Sequence, residues 1–332
     1  MHNTLKSVRG ATLFLSLSLF LVCLSILFQP NCFAQSEKPW RPEGPITIIV
    51  QTYGGAYDLT ARQIAQVLPD YLGQRVIVQA VTGANGANAI DALHRSKPDG
   101  RTLCLVPLGA HIGLAIEKLY AWDIKDIPVL LGIEVPPYAI LSSAKAPYTT
   151  YEELLKARKE VRIATGAGNF SILPLIMDLE KRGVQYKAAR LKGSVDAALM
   201  VIAGNADLTM GALSGVHLDQ VRNGDVRPLF IYSTKRYSEA PNVPTHAEIG
   251  MPKEWANYRP VRMIYIPPGT PEKIQKGLKD ALQKALQDKR TLEWSKKADT
   301  PVDIVPEEEY KARIYYIVEG FKKYPKIIEM LF

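Results

Sequence analysis

The chain has 332 residues, of which 47% are hydrophobic and 22% charged, a composition that supports one large or two medium α/β domains and argues against extensive disorder. The formal net charge is +8, but lysines and arginines are scattered, and no dense basic block with interleaved aromatics indicates nucleic-acid binding. The 3 cysteines cannot form a disulfide framework, and the ligands for a structural zinc site are lacking.

The N-terminus has the pattern of an export signal. Lys6 and Arg9 precede an apolar run over residues 11–28, and Pro30 ends it. Small residues then stand at the positions that predict cleavage after Ala34. We therefore predict a cleavable signal peptide over residues 1–34 and a periplasmic protein. The apolar run is also long enough to span a membrane, so an uncleaved anchor is the alternative.

Strands and helices alternate along the rest of the chain. Short apolar or β-branched runs predict strands, and the amphipathic stretches between them predict helices. The predicted strands cover residues 46–50, 76–78, 102–106 (which contains Cys104), 138–141, 161–164, 207–210, 227–232 and 262–266. The predicted helices cover residues 59–68, 87–95, 151–159, 171–182, 194–203, 215–221, 271–287 and 306–321. A capping box of the S/T-x-x-E form runs from Thr149 to Glu152.

This alternation is typical of an α/β fold with mostly parallel sheets. The number of strands exceeds what one sheet holds comfortably, so the pattern predicts two domains.

Glycine-containing turns follow four of the predicted strands. In open α/β sheets ligands bind at the carboxyl ends of strands, where the next helix presents free N–H groups and the positive end of its dipole. Glycine lets an anion approach those N–H groups. The pattern favours a carboxylate-sized anion, although ordinary βα turns are the equal alternative. The candidate ligand residues are Tyr53, Gly54, Gly55, Ala56, Asp58, Gly83, Ala84, Asn85, His111, Gly168, Asn169, Phe170 and Ser171.

Catalytic and cofactor motifs are missing from the sequence. The run from Gly166 to Ser171 begins G-x-G but lacks the third glycine of a dinucleotide site, and no Walker sequence occurs. Neither a G-x-S-x-G elbow nor an H-E-x-x-H motif is present. We expect no cofactor, no metal and no enzymatic activity.

Several short motifs taken together resemble a known family. The most specific segment runs from Ser233 to Gly250 and has the form S-x-K-R followed by P-x-V-P-T-x-x-E-x-G. Three further motifs occur in the expected order, at residues 98–100, 204–207 and 267–271. In this combination the chain resembles the solute-binding receptors of tripartite tricarboxylate transporters, the Bug-type receptors.

The resemblance implies a type II periplasmic-binding-protein fold, in which two α/β lobes joined by two crossing strands close over an interlobe cleft. With the strand count, it predicts lobe 1 at residues 36–137 and 257–332, and lobe 2 at residues 138–256. It implies a small organic anion as ligand, either a di- or tricarboxylate, an aromatic carboxylate or an amino acid. It also implies a membrane permease of one large and one small subunit as partner.

Three more candidate ligand residues follow from the resemblance: Lys192, Gly211 and Tyr258. At the last two this sequence departs from the family pattern, which has an acidic or polar residue and a tryptophan there. Arg259 and Arg262 come next, and two interpretations stay open, charge for an anion or solvated side chains.

Two functions are compatible with this fold. A solute-binding receptor needs an export signal, a cleft and no catalytic set. A ligand-sensing or enzymatic protein on the same fold needs a nucleophile, an acid–base pair or a DNA-binding segment before the first strand. The sequence shows none of these, so we expect the receptor.

Overall fold

The computed structural model describes residues 40–109, 112, 128–166 and 169–325. Its strands are β1 Ile46–Val50, β2 Val76–Ala80, β3 Thr102–Pro107, β4 Val129–Ile133, β5 Tyr138–Ser143, β6 Glu160–Gly166, β7 Gln185–Leu191, β8 Thr209–Ala212, β9 Val226–Tyr232, β10 Arg262–Tyr265 and β11 Ile304–Val305. The α-helices are α1 Ala56–Val67, α2 Pro69–Leu72, α3 Ala87–His94, α4 Tyr151–Ala157, α5 Leu173–Lys181, α6 Ser194–Ile202, α7 Gly215–Arg222, α8 Glu272–Gln287, α9 Lys289–Lys297 and α10 Glu307–Lys323. Short 3-10 helices cover Ala84–Gly86, Phe170–Ile172 and Lys253–Tyr258.

The first sheet has the strand order β11-β4-β10-β3-β1-β2. Strand β1 pairs in parallel with β2 and β3, whereas β10 runs antiparallel to β3 and β4. The three parallel strands therefore end at one edge of the sheet. Arg262, the first residue of β10, lies opposite Pro107 and Ile133 at that same edge.

The second sheet forms from β8-β5-β9 and the parallel pair β6-β7. A parallel bridge between Ile163 and Leu208 joins the two groups, and the Ala164 amide donates to the Leu208 carbonyl at 2.8 Å. Strands β6, β7 and β8 thus end at one edge. Strand β5 begins there, because Tyr138 lies opposite Ala212.

Within the ranges that the structure describes, the chain crosses between the sheets twice, over residues 134–137 and over residues 233–261. Both crossings leave from the edges at which the parallel strands end. Every strand of the first sheet lies within residues 46–133 or 262–305, and every strand of the second within residues 138–232. The described fold is thus an α/β fold of two lobes, with the turns after the parallel strands facing the region between the sheets.

Apolar side chains fill both faces of the first sheet. Ile48 and Leu103 point to a core under α1 and α8, and Ile49 and Cys104 point to the opposite face. This two-sided burial explains the unbroken apolar runs of β1 and β3. Cys104 is buried as predicted, and burial raises the pKa of its thiol.

A cluster of buried charges fixes the crossings against α10. The guanidinium of Arg313 is fully buried and lies 2.8 Å from the carboxylate of Glu134 and 2.6 Å from that of Glu309. Arg259 also reaches Glu309, at 2.9 Å, and the Glu134 amide donates to the Asp303 carbonyl. Glu134 belongs to the first crossing and Arg259 to the second, so α10 holds both crossings in place.

Some local predictions were wrong. The sheets are mixed rather than mostly parallel, because each receives antiparallel strands where the chain crosses. The capping box lies one residue later than predicted: Thr150 caps α4, and the Glu153 carboxylate accepts a hydrogen bond from the Thr150 amide.

Within the described residues, no helix is both long and apolar enough to cross a membrane.

Candidate functional site

The first turn, residues 51–55, is held closed by Asp58. This carboxylate lies in the first turn of α1 and accepts hydrogen bonds from the Arg62 guanidinium at 2.8 Å and from the Gly54 amide at 3.0 Å. The bond from Arg62 outweighs burial and holds the pKa of Asp58 below its usual value. Tyr53, at the tip, is 71% exposed. The Oδ2 atom of Asp58 thus shapes the turn, while its Oδ1 atom is buried and has no partner in the described structure. The neighbouring Gly55 amide and Tyr53 remain as candidate ligand contacts.

The second turn packs against the first. Gly83 and Gly86 adopt φ angles of 109° and 98°, a region that favours glycine, and Ala84 between them has a φ of 45°. A side chain at Gly86 would overlap the carboxamide of Gln51, which follows β1. The two turns therefore meet, as expected from adjacent parallel strands. Asn85 lies in this turn, and its side chain is outside the described part of the structure.

The third and fourth turns come from different sheets and also meet. Gly109 follows β3 and Phe170 follows β6, and a Cβ added to Gly109 would lie 1.7 Å from ring atoms of Phe170. The phenyl ring is buried in the core with Leu108 and Ile112. The predicted ligand residues His111 and Gly168 belong to these two turns and lie outside the described residues.

Ser171 presents an unpaired polar atom in this region. The residue is 2% exposed, and its hydroxyl oxygen has no hydrogen-bond partner in the described structure. It lies in the 3-10 helix that leads into α5, directly after Asn169. Since buried polar groups normally find partners, an unsatisfied hydroxyl here is available to a bound molecule.

The other turns of the second sheet lie at the same edge. A Cβ on Gly166 would lie 2.8 Å from the Ser194 amide, so the end of β6 packs on the start of α6. Lys192 is exposed in the two-residue link between β7 and α6. Lys192 thus lies at the carboxyl end of β7, and its contact with a ligand stays a prediction.

His217 packs directly against the backbone of Gly211, in the space that a side chain at Gly211 would occupy. A Cβ there would lie 2.5–2.8 Å from the imidazole of His217 on α7. His217 is buried, and its Nδ1 lies 3.1 Å from the Gln220 side-chain oxygen. Burial lowers the pKa of this imidazole. A ligand contact at Gly211 would have to use its backbone.

Tyr258 packs on α10 in the described structure. A Cβ on Gly320 would lie 3.1 Å from its hydroxyl, and its ring stacks edge-on with Tyr316 at 6.1 Å. Burial raises its pKa to about 12. These contacts assign Tyr258 to the packing of the second crossing, and they give the predicted ligand contact no support.

Arg259 and Arg262 are not solvated. Arg259 belongs to the buried charge cluster, and Arg262 is only 2% exposed. Sequence reasoning missed Gln51 and Tyr138, which the fold brings to the edges between the sheets. Tyr57 falls inside the predicted ligand segment, residues 53–58. Of the other two, only Gln51 carried a signal, its position in a turn.

The described residues offer groups for binding rather than for catalysis. They include backbone amides at helix starts, the unpaired buried hydroxyl of Ser171 and glycine-lined turns. Within the described ranges, no cluster of three His, Cys, Asp or Glu side chains could hold a metal ion. Such an arrangement, between two open α/β sheets joined by two crossings, is typical of solute-binding proteins.

Comparison with known sequences identifies the family. A profile of the tripartite tricarboxylate transporter family receptor matches residues 60–331. Protein BugT of Bordetella pertussis is 31% identical over 277 residues, covering 80% of this chain and 84% of that protein. A Cupriavidus necator protein, described as the UPF0065 protein in the gbd 5′ region, is 27% identical and covers 90% of each chain. The chain therefore belongs to the family of tripartite tricarboxylate transporter receptors, which are solute-binding proteins and not enzymes.

Solved structures share the fold. A TctC solute-binding protein from Polaromonas has a TM-score of 0.70 at 22% identity, covering 85% of this chain and 99% of that one. A Rhodopseudomonas palustris protein solved with adipate has a TM-score of 0.70 at 21% identity, covering 87% and 98%. MatC from the same organism, solved with bound malate, has a TM-score of 0.66 at 21% identity, covering 86% and 99%. These likenesses confirm the type II periplasmic-binding fold.

Proposed function

We propose that this protein is an exported receptor that captures a small organic carboxylate between its lobes and delivers it to a membrane permease. The permease would have one large and one small subunit, as the family resemblance implies. The unpaired hydroxyl of Ser171, buried at a strand end between the sheets, is the observation that carries the binding proposal. Capture outside the cytoplasmic membrane fits the signal-like pattern of residues 1–34.

The proposed lobe boundaries follow the sheets. Lobe 1 comprises residues 36–137 and 257–332, and lobe 2 comprises residues 138–256. Support comes from the strands, since each sheet draws its members from only one of these sets. The crossings at residues 134–137 and 233–261 would then act as the hinge.

The proposed pocket is formed by the four turns. Gly55, Gly83 and the turn after β3 contribute from lobe 1, while Ser171 and Lys192 contribute from lobe 2. Three features favour an anion here: free amides at helix starts, helix dipoles that point their positive ends to the cleft, and the Lys192 ammonium. A metal ion is not needed for this binding. The malate and adipate bound by the structural relatives make carboxylates the first ligands to test.

A thermal-shift screen of the purified protein tests this proposal. A ligand that binds only the folded state raises the melting temperature, so malate, adipate, citrate, benzoate and glutamate should be compared with uncharged analogues. We expect at least one carboxylate to raise the melting temperature and its uncharged amide not to. A flat response across this panel and across other carboxylates and amino acids would refute the proposal.

A further inference from the structure

Among the residues that the structure describes, Arg262 is a buried cation without a carboxylate partner. Its side chain is 2% exposed at the start of β10, where the second crossing enters the first sheet. One terminal nitrogen donates to the backbone carbonyls of Glu134 at 2.8 Å and Pro301 at 3.0 Å. The Nε atom is buried and has no partner in the described structure.

The neighbouring carboxylates are already occupied. The Glu134 side chain lies 2.8 Å from Arg313 and 3.9 Å from Arg259, and Glu309 binds the same two arginines. Three guanidinium groups therefore meet two carboxylates among the described residues at the crossings. One positive charge is left over, and Arg262 is the member that makes no ion pair.

Two tyrosines flank this charge from opposite lobes. The guanidinium carbon of Arg262 lies 5.7 Å from the ring centre of Tyr57, in the first turn of α1. Tyr138, the first residue of β5, is close enough for the Arg262 charge to act on its hydroxyl. Both tyrosines are partly exposed, and burial raises the pKa of both phenols, so they stay protonated donors.

A buried, unpaired charge is unfavourable in an empty protein and is compensated when an anion arrives. Phenol hydroxyls in front of a guanidinium donate to such an anion, and the low local dielectric strengthens the attraction of the charge behind them. Tyr57 belongs to the first turn of the proposed pocket. Tyr138 begins β5 at the edge where the strands of lobe 2 end, so both residues lie at strand edges that border the region between the sheets.

We propose that Tyr57, Tyr138 and Arg262 form a second anion-binding end of the cleft, which selects ligands that carry two acidic groups. The inference rests on the proposed receptor function and deepens it. The turn containing Ser171 receives one carboxylate, and the Tyr57–Tyr138–Arg262 group receives the other. Arg262 acts from behind the tyrosines, and the two hydroxyls touch the ligand.

The test compares acids that differ by one carboxylate. Calorimetry should measure adipate against hexanoate, and malate against 2-hydroxybutyrate, for the natural protein and for Arg262→Gln and Tyr138→Phe. We expect the natural protein to favour the diacid of at least one pair by tenfold or more, and each variant to lose most of that preference. A merely structural role would weaken diacid and monoacid alike and leave their ratio unchanged, which would overturn the inference.

Arg227 provides a matched control. Its guanidinium also donates to two backbone carbonyls, those of Tyr148 and Ala144, at 2.8 and 2.9 Å, away from the crossings. Arg227→Gln should keep the natural preference for the diacid. If Arg262→Gln fails to fold, Tyr138→Phe decides alone, because it removes only a hydroxyl.

Inorganic sulfate separates this inference from the receptor function. If no carboxylate binds the natural protein, the receptor proposal fails. The anion site is then tested by the shift in melting temperature that millimolar sulfate causes at constant ionic strength. This shift is compared among the natural protein, Arg227→Gln and Arg262→Gln. A shift that is present in the natural protein and in Arg227→Gln but lost in Arg262→Gln supports the anion site. An equal response in all three proteins overturns it.

Discussion

The ring of Phe170 lies directly on the backbone of Gly109, so that a Cβ on Gly109 would fall 1.7 Å from ring atoms. The two residues follow strands of different sheets, β6 and β3. Their contact brings the turns of the two lobes together within the larger hydrophobic core. The pocket proposed above thus borders a packed contact between the lobes.

Gly109→Ala should push the Phe170 ring out of its place. We expect a loss of about 1–3 kcal/mol in unfolding free energy, as for other overpacked sites, measured by urea denaturation. Adding Phe170→Leu should relieve the overlap, so the double variant should be more stable than the sum of the two single effects. Strict additivity of the two substitutions would contradict the contact.

Glu134→Gln tests the charge cluster at the crossings. Breaking a buried ion pair leaves a charge uncompensated, and we expect a loss of about 3 kcal/mol, the low end of the usual range because Glu309 still pairs with Arg313. Lys276→Gln is the control, since its ion pair with Asp280 lies at the surface. It should change the unfolding free energy by less than about 1 kcal/mol. Equal effects of the two substitutions would show that the cluster contributes no more than a surface pair.

We expect the buried imidazole of His217 to make the folded protein less stable on mild acidification. Burial lowers the pKa of this imidazole below the ordinary histidine value of about 6.5, so the unfolded chain binds the proton more readily than the folded chain. Stability due to His217 is therefore present above that value and falls as the pH drops below it. Burial lowers the pKa of His246 in the same way.

The measurement is urea denaturation at pH 7 and pH 5. His217→Gln, which cannot titrate, should lose less stability between these two values than the natural protein does. His246 accounts for part of what remains. If His217→Gln shows the full pH dependence of the natural protein, the buried imidazole does not contribute to it.

Export can be tested independently of binding. We predict cleavage after Ala34, so that the mature protein begins with Gln35. N-terminal sequencing of the protein recovered from the periplasm should give this residue. A protein that still starts at Met1 and stays with the membrane would instead support an uncleaved anchor.

Much of the fold follows from local sequence patterns. The apolar runs of β1 and β3 are buried on both faces, and their prediction required only the residues themselves. Strand β7 was missed because it lies at a sheet edge, where Tyr186 and Ala188 alternate with exposed polar residues and give no apolar run. Strand β4 was missed because Gly132 interrupts it, although Gly132 packs closely on Tyr310 and Val305.

The site was less predictable because its contacts span long distances along the chain. Turns at strand ends can be predicted from the local sequence, which is why Gly83, Phe170 and Ser171 fell in predicted segments. The approach of Arg262 to Tyr57 depends on the second crossing returning to the first sheet, and nothing near either residue signals it. The contact between His217 and Gly211 was also not predictable, since a glycine in a strand does not indicate which side chain packs against it.

Isothermal titration calorimetry of the best carboxylate from the screen tests the central claim most directly. The natural protein should show one-site binding that a chelator leaves unchanged. Ser171→Ala should weaken it by roughly tenfold, the effect of losing one hydrogen bond to a charged group. Thr209→Val is the control, because it also removes a buried, unpaired hydroxyl, but at the first residue of β8, away from the edge at which that strand ends, and it should bind as the natural protein does. Unchanged affinity in a folded Ser171→Ala variant would place the ligand elsewhere, and the absence of any carboxylate binding would contradict the receptor function itself.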